Sequence, residues 1–149
     1  MLNLFNNLVL AEKTVIITTD MYLTEDIIKQ LLELNGYHGF TRIYLSKNGL
    51  SKHNGKLFDA IVKDFSSFCN PDEIVHIGDN MDSDFLIPQK YGIKSIFLDK
   101  PLNLFKKSAI GSKFVPTSNG DRVLIGMIAN HIFDNPFVQF TTITVEQFS

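Results

Sequence analysis

Short apolar runs alternate with longer amphipathic stretches over the first two thirds of the chain. The runs have the length and composition of strands buried in a parallel sheet. Between them, apolar residues recur three or four positions apart, which is typical of one face of a helix. This alternation predicts an α/β, Rossmann-like fold, with a parallel sheet and helices on both of its faces. The apolar runs are VII at 15–17, RIYLS at 42–46, EIVHI at 73–77 and KSIFL at 94–98.

The amphipathic stretches predict four helices in this region. One covers residues 2–10, and a second begins after Thr24, a natural N-cap, and ends before Gly36. A third covers residues 56–65, and a short fourth helix ends near Gln89, bent or shortened by Pro88.

The spacing of apolar residues changes beyond Pro101, where Gly, Pro and Ser residues interrupt any regular repeat. We expect a connector with one short helix there, then a helix at about 120–133 and a strand at about 137–145, a segment rich in β-branched and aromatic residues. The chain is therefore divided into a partial core, residues 1–100, and a C-terminal extension, residues 101–149.

Composition narrows the class of protein without defining it. The 149 residues fit one domain, and 14 basic against 16 acidic residues give a net charge of -2. That balance provides neither a basic surface for nucleic acid nor a polybasic patch for a membrane. The single cysteine, Cys69, excludes an intrachain disulfide, and no stretch has the length or leader features of a membrane span or signal peptide. We expect a cytoplasmic protein with no nucleic-acid or membrane partner.

Candidate chemistry is concentrated in one stretch, EIVHIGDNMDSD at 73–84. Asp79, Asp82 and Asp84 follow a predicted strand, and ligands of α/β sheets bind at the carboxyl ends of strands. Converging carboxylates favour a hard cation such as Mg²⁺. The alternative is turn and capping chemistry, with Asp82 or Ser83 as the N-cap of the next helix.

Three segments together resemble motifs of the haloacid dehalogenase (HAD) superfamily of phosphatases and related phosphoryl-transfer enzymes. VIITTDMYL resembles the second motif of that family, with Thr19 as its hydroxyl, and SKHNGKLF resembles the third, with Lys52 as its cation. GDNMDSD resembles the fourth, with Asp79 and Asp84 as its acidic pair. The segments TDMYL and HIGDN are similar to segments of predicted HAD hydrolases found beside or fused to bacterial glycosyltransferases.

The resemblance implies Mg²⁺-dependent phosphoryl transfer on a phosphorylated small molecule. Thr19 would donate a hydrogen bond to a phosphoryl oxygen, and Lys52 would neutralise the charge of that group. Asp79 would hold Mg²⁺, and Asp84 would fix either the shell of the metal or the Lys52 ammonium.

Neighbouring residues compete for three of these roles. Thr18 is an alternative to Thr19, Lys56 to Lys52, and Asp82 to Asp84.

One motif of the family is absent from the sequence. The family requires a DxD motif, whose first Asp is the nucleophile, but only Glu12 is acidic before Thr19. We therefore expect this chain to be inactive alone and to be a fragment of a larger protein. The alternative is a non-catalytic module of a glycosyltransferase-linked protein, with an apolar surface from residues 102–145. A generic receiver or nucleotide-binding domain is disfavoured because no Gly-rich phosphate loop follows the first strand.

The missing motif also implies a missing strand. In the family its strand lies between those that carry the second and fourth motifs, so two strand edges would be left unpaired. We expect the gap to be filled by the C-terminal PFVQFTTITV, by a strand of a second copy in a homodimer, or by an upstream segment.

Overall fold

A computed structural model describes residues 1–132 of the chain. The fold is mixed α/β, as predicted, and the strand predicted at 137–145 lies outside the described residues. In residues 1–132, four short strands alternate with helices. In chain order the elements are α1 (Leu2–Leu10), β1 (Ile16–Thr19), α2 (Glu25–Leu34), β2 (Arg42–Leu45), α3 (Lys56–Phe65), β3 (Val75–Gly78), α4 (Ile87–Gln89), β4 (Lys94–Phe97), α5 (Pro101–Lys107) and α6 (Asn119–Ile132).

The helix boundaries follow local chemistry. The predicted third helix is confirmed at Lys56–Phe65, and Gly55 precedes it with a φ of 76°, which favours glycine. The Tyr91 ring leaves no space for a Cβ at that glycine. The predicted short fourth helix is a π-helical turn, Met81–Leu86, followed by α4, which ends one residue after Pro88.

The strands are parallel, but the described part of the chain has two separate pairs instead of one sheet. β1 pairs with β2, and β3 pairs with β4. Thr18 lies opposite Tyr44 in the first pair, and His76 lies opposite Ser95 in the second. No hydrogen-bonded strand joins β1 to β3 within residues 1–132, and this is the position where the absent motif implies a missing strand.

Helices cover both faces of the first pair. Side chains alternate between the two faces of a strand. Ile43 and Leu45 of β2 pack with Ile28 of α2, whereas Tyr44 packs with side chains of α3. Ile28 is 4% exposed and Ile43 is 6% exposed. Each such burial contributes about 1.5–3 kcal/mol.

One helix, α3, packs against both strand pairs. Its Leu57, Phe58 and Ile61 form a cluster with Tyr44 of β2 and with Ile93, which directly precedes β4. Phe58 is fully buried, at 0% exposure. Helix α3 therefore holds the two pairs together within one compact unit, residues 1–97.

Of the described residues, 98–132 belong to a second compact unit. Helices α5 and α6 bury Phe105, Ile125 and Ala129 between them. A reciprocal capping box begins α6: the Asp121 N–H donates to Ser118 Oγ at 3.1 Å, and the Ser118 N–H donates to Asp121 Oδ2 at 2.9 Å. Among the helices of residues 1–132, none has the length and apolar character needed to cross a membrane.

Candidate functional site

A buried carboxylate, that of Asp84, is the centre of the site. Asp84 lies in the π-helical turn after β3 and is 3% exposed. Its Oδ1 accepts from Lys52 Nζ at 2.8 Å and lies 3.0 Å from His76 Nε2. Its Oδ2 accepts from the Asn80 N–H at 3.1 Å. Three groups from two loops and a strand therefore converge on one carboxylate.

These contacts determine the ionisation of Asp84. Burial alone would raise the pKa of this carboxyl, because it disfavours the charged form. The hydrogen bonds from His76 and Lys52, the charge of Lys52 and the Asn80 amide outweigh burial and hold the pKa of Asp84 well below its usual range. Asp84 is therefore a carboxylate throughout the physiological pH range.

The close approach of Asp84 to β3 requires glycine at position 78. A Cβ on Gly78 would come within 2.5 Å of Asp84 Cβ and Cγ. The glycine that ends the predicted strand thus has a packing role, since any side chain there would displace the carboxylate.

The structure brings Lys52, and not its competitor Lys56, to Asp84. The Lys52 side chain is 15% exposed, whereas Lys56 is an exposed residue of the first turn of α3. The Lys52 backbone N–H donates to Asp20 Oδ1 at 3.2 Å, and the same oxygen accepts from Ser46 Oγ. Asp20 therefore ties the ends of β1 and β2 to the lysine loop.

Sequence reasoning missed this role of Asp20. The sequence contains one signal for it. Asp20 directly follows the first predicted strand, and the second predicted strand ends in the hydroxyl residue Ser46.

Thr19, the predicted hydroxyl, is the last residue of β1 and is half-buried. Its Oγ1 accepts from the Met21 N–H at 3.1 Å. Within residues 1–132 it has no hydrogen bond to Lys52 or Asp84, so the structure places it at the same edge of the fold without joining it to the ion pair.

Two of the acidic residues in this stretch, Asp79 and Asp82, are exposed.

The N-cap of the π-helical turn is a different residue from the two predicted. The side chain of Asn80 accepts from the N–H groups of Asp82 and Ser83, each at 3.0 Å, and so caps the turn. In the alternative of turn and capping chemistry, the choice of Asp82 or Ser83 as the N-cap is wrong, because these residues supply the N–H donors and Asn80 supplies the acceptor.

The described residues do not form a complete metal site by themselves. No group of three or more His, Cys, Asp or Glu side chains among residues 1–132 is arranged to hold a metal ion. The two Asp84 oxygens are engaged by donors, two on Oδ1 and one on Oδ2. With these donors bound, the Asp84 carboxylate is better suited to holding Lys52 than to binding Mg²⁺.

Comparison with known proteins adds no assignment: the chain matches no family model and no curated protein. The class of protein is defined by fold and site alone. It is an α/β domain with a buried carboxylate that holds a lysine and a histidine near the ends of its parallel strands.

Proposed function

We propose that residues 1–97 form a HAD-like domain that binds the phosphoryl group of a phosphorylated small molecule. The observation that supports this most directly is the Lys52–Asp84 ion pair, in which Nζ and Oδ1 are 2.8 Å apart. It joins the loop after β2 to the turn after β3, at the edge of parallel strands where α/β folds bind ligands.

The ion pair leaves Lys52 able to bind an anion. An ammonium has three N–H donors, and Asp84 accepts from it through one oxygen. Because its side chain is 15% exposed, Lys52 is neither sealed in the core nor fully solvated. A phosphoryl group spreads negative charge over its oxygens, so a fixed and partly desolvated ammonium stabilises it effectively. Thr19 is the proposed second donor.

Within residues 1–132 we identify no nucleophile at this site. Asp20 is the carboxylate at the end of β1, but its Oδ1 already accepts from Ser46 and from the Lys52 N–H. We therefore expect binding without turnover by this chain alone. Mg²⁺ remains part of the proposal from the family resemblance, with Asp79 as its contact.

The order of the strands supports a partner that completes the sheet. Helix α2 covers one face of the first pair and α3 covers the other. Since strand–helix–strand crossovers are right-handed, β3 lies beyond β1 on the side away from β2. Ile87 and Tyr91, which follow β3, pack in the α3 cluster, so the same rule places β4 beyond β3. The expected order is therefore β4, β3, an open position, β1, β2.

Backbone N–H and C=O groups of β1 and β3 point toward the open position. The Val15 and Thr19 carbonyls accept hydrogen bonds from the β2 side, and backbone groups alternate sides along a strand. Thr18 therefore directs its N–H and C=O toward the open position. In β3 the Ile74 carbonyl faces β4, so Ile77 faces the open position.

We propose that a parallel strand from a second copy or from another polypeptide segment pairs there. Amide hydrogen exchange tests this: Thr18 and Ile77 should gain protection on association, and unchanged exchange in every assembly would contradict it.

A second candidate function, a non-catalytic interaction module, is favoured by the surface of the second unit. Val115, Val123 and Met127 are 78%, 64% and 66% exposed. Phe114 is 56% exposed. Exposed large apolar side chains on one small unit can form an interaction surface. This proposal places the partner contact in residues 98–132 and assigns no chemistry to Lys52.

Phosphate binding distinguishes the two functions. Inorganic phosphate is titrated into the protein, with and without Mg²⁺, and the amide shifts of Thr19 and Lys52 are followed by NMR. We expect Lys52→Ala to weaken binding about 10-fold to 100-fold, the equivalent of one charge-assisted hydrogen bond. Lys56→Ala is the matched control and should change the affinity less than about twofold, because exposed charges are screened. Equal effects of both substitutions, or no binding by the wild type, would contradict the proposal.

A further inference from the structure

His76 is a largely buried polar residue that has no part in the proposed function. It is in β3, and its side chain is 12% exposed. The ring packs edge to face against Phe58, with centroids 5.0 Å apart and an interplanar angle of 76°. Its Nε2 lies 3.0 Å from Asp84 Oδ1. Strand and helix thus fix the ring, and the ring directs one nitrogen at the carboxylate.

The partner determines which ring nitrogen carries a proton. An ionised carboxylate only accepts hydrogen bonds, so His76 Nε2 must be the donor. Asp84 Oδ1 then receives two donors, His76 Nε2–H at 3.0 Å and Lys52 Nζ at 2.8 Å.

Asp84 needs such a second fixed donor to hold the lysine in one place. The terminal torsion of an aspartate is broad, so a carboxylate held through one oxygen can rotate. The Asn80 N–H holds Oδ2, and His76 holds Oδ1. Lys52, by contrast, has a flexible four-carbon stem and cannot itself fix the carboxylate.

We propose that His76 is a positioning residue, whose Nε2–H fixes the Asp84 carboxylate and through it the Lys52 ammonium. Its consequence for ligands rests on the proposed function, in which Lys52 binds a phosphoryl group. The imidazole does not touch the ligand, so its effect on binding passes entirely through Asp84.

The hydrogen bond is tested first, without any ligand. Long-range ¹H–¹⁵N NMR correlations of the His76 ring at about pH 8, above the ordinary His pKa of ~6.5, identify the protonated nitrogen. We expect the Nε2–H tautomer in the wild type and a shifted Nε2 signal in Asp84→Asn. An Nδ1–H tautomer with a bare Nε2 would overturn the inference, whatever the protein binds.

The positioning role is tested with three variants in the phosphate titration. His76→Phe keeps an aromatic ring against Phe58 but removes the donor, and we expect about threefold to tenfold weaker phosphate binding, the equivalent of one hydrogen bond. His76→Gln places an amide nitrogen the same number of bonds from Cα as Nε2 and should restore the affinity. Ser95→Ala, opposite His76 in the sheet, is the control for a general disturbance of β3 and β4 and should bind as the wild type does.

The outcomes separate the two proposals. Failure of the wild type to bind phosphate contradicts the proposed function, and the tautomer then still decides whether the His76–Asp84 bond exists. Normal binding by His76→Phe, or equal weakening by Ser95→Ala and His76→Phe, overturns the positioning role.

Discussion

The two strand pairs differ in what holds them. In the first pair, Ile43, Tyr44 and Leu45 of β2 are each 8% exposed or less, with helices on both faces. In the second pair, Val75 is 50% exposed and Ile96 is 43% exposed. The less buried pair is the one next to the polar contacts of Asp84. Apolar burial thus accounts for the first pair, whereas α3 and an ionic network anchor the second.

The largest expected effect is at the residue that touches both regions. Phe58→Ala removes a fully buried ring that packs in the α3 cluster and against His76. We expect the free energy of unfolding to fall by about 3–5 kcal/mol, measured by urea denaturation. Phe68→Ala is the matched control: Phe68 is 81% exposed, and its loss should cost under about 0.5 kcal/mol. Equal costs would contradict the role of α3.

The next effect separates the ionic anchor from its exposed neighbour. Asp84→Asn removes the charge that Lys52 and His76 contact, and we expect a loss of about 3 kcal/mol, the low end for a broken buried pair because Lys52 retains some access to water. Asp82→Asn, two residues away and exposed, should cost under about 0.5 kcal/mol. If the two substitutions cost the same, Asp84 is not an anchor.

The pH dependence of the free energy of unfolding tests the same role of Asp84. The folded protein holds the pKa of Asp84 below the value of about 3.9 expected in the unfolded chain. Its contribution to stability is therefore fully present above about pH 4 and is lost as the pH falls further. The difference in free energy of unfolding between wild type and Asp84→Asn should shrink in urea denaturation below pH ~4. A constant difference would show that the Asp84 pKa is not depressed.

The smallest expected effect compares the strand pairs directly. Ile43→Val removes one methylene from a side chain that is 6% exposed, and Ile96→Val removes it from one that is 43% exposed. We expect costs of about 1 kcal/mol and under about 0.5 kcal/mol, measured by thermal denaturation. Equal costs would mean that the second pair is as well packed as the first.

The spacing of apolar residues along the chain was sufficient to predict the helices and strands that depend on local sequence. Helix α3 has the bounds that its apolar spacing predicts, and the four strands lie within about two residues of the predicted runs. The strand predicted at 137–145 lies outside the described residues.

Features that depend on three-dimensional contacts were not predictable in the same way. Hydrophobic periodicity alone predicts one parallel sheet; the separation of the strands into two pairs was expected only from the family resemblance, because the absent motif would lie on the strand between β1 and β3. The Asn80 cap depends on where the backbone turns, and several Asp, Asn and Ser residues in that stretch have the right chemistry. His76 lies in a predicted strand, but its partner Asp84 is eight residues away, across a turn whose geometry the sequence does not predict.

The central proposal is that Lys52 binds a phosphoryl group and that residues 1–132 supply no nucleophile for turnover. The most direct test is hydrolysis of an aryl phosphate with and without Mg²⁺, comparing the wild type with Asp79→Ala. We predict a folded wild-type protein with no turnover above that of the variant. Turnover that requires both Mg²⁺ and Asp79 would contradict this account, because a carboxylate of this chain would then be acting as the nucleophile.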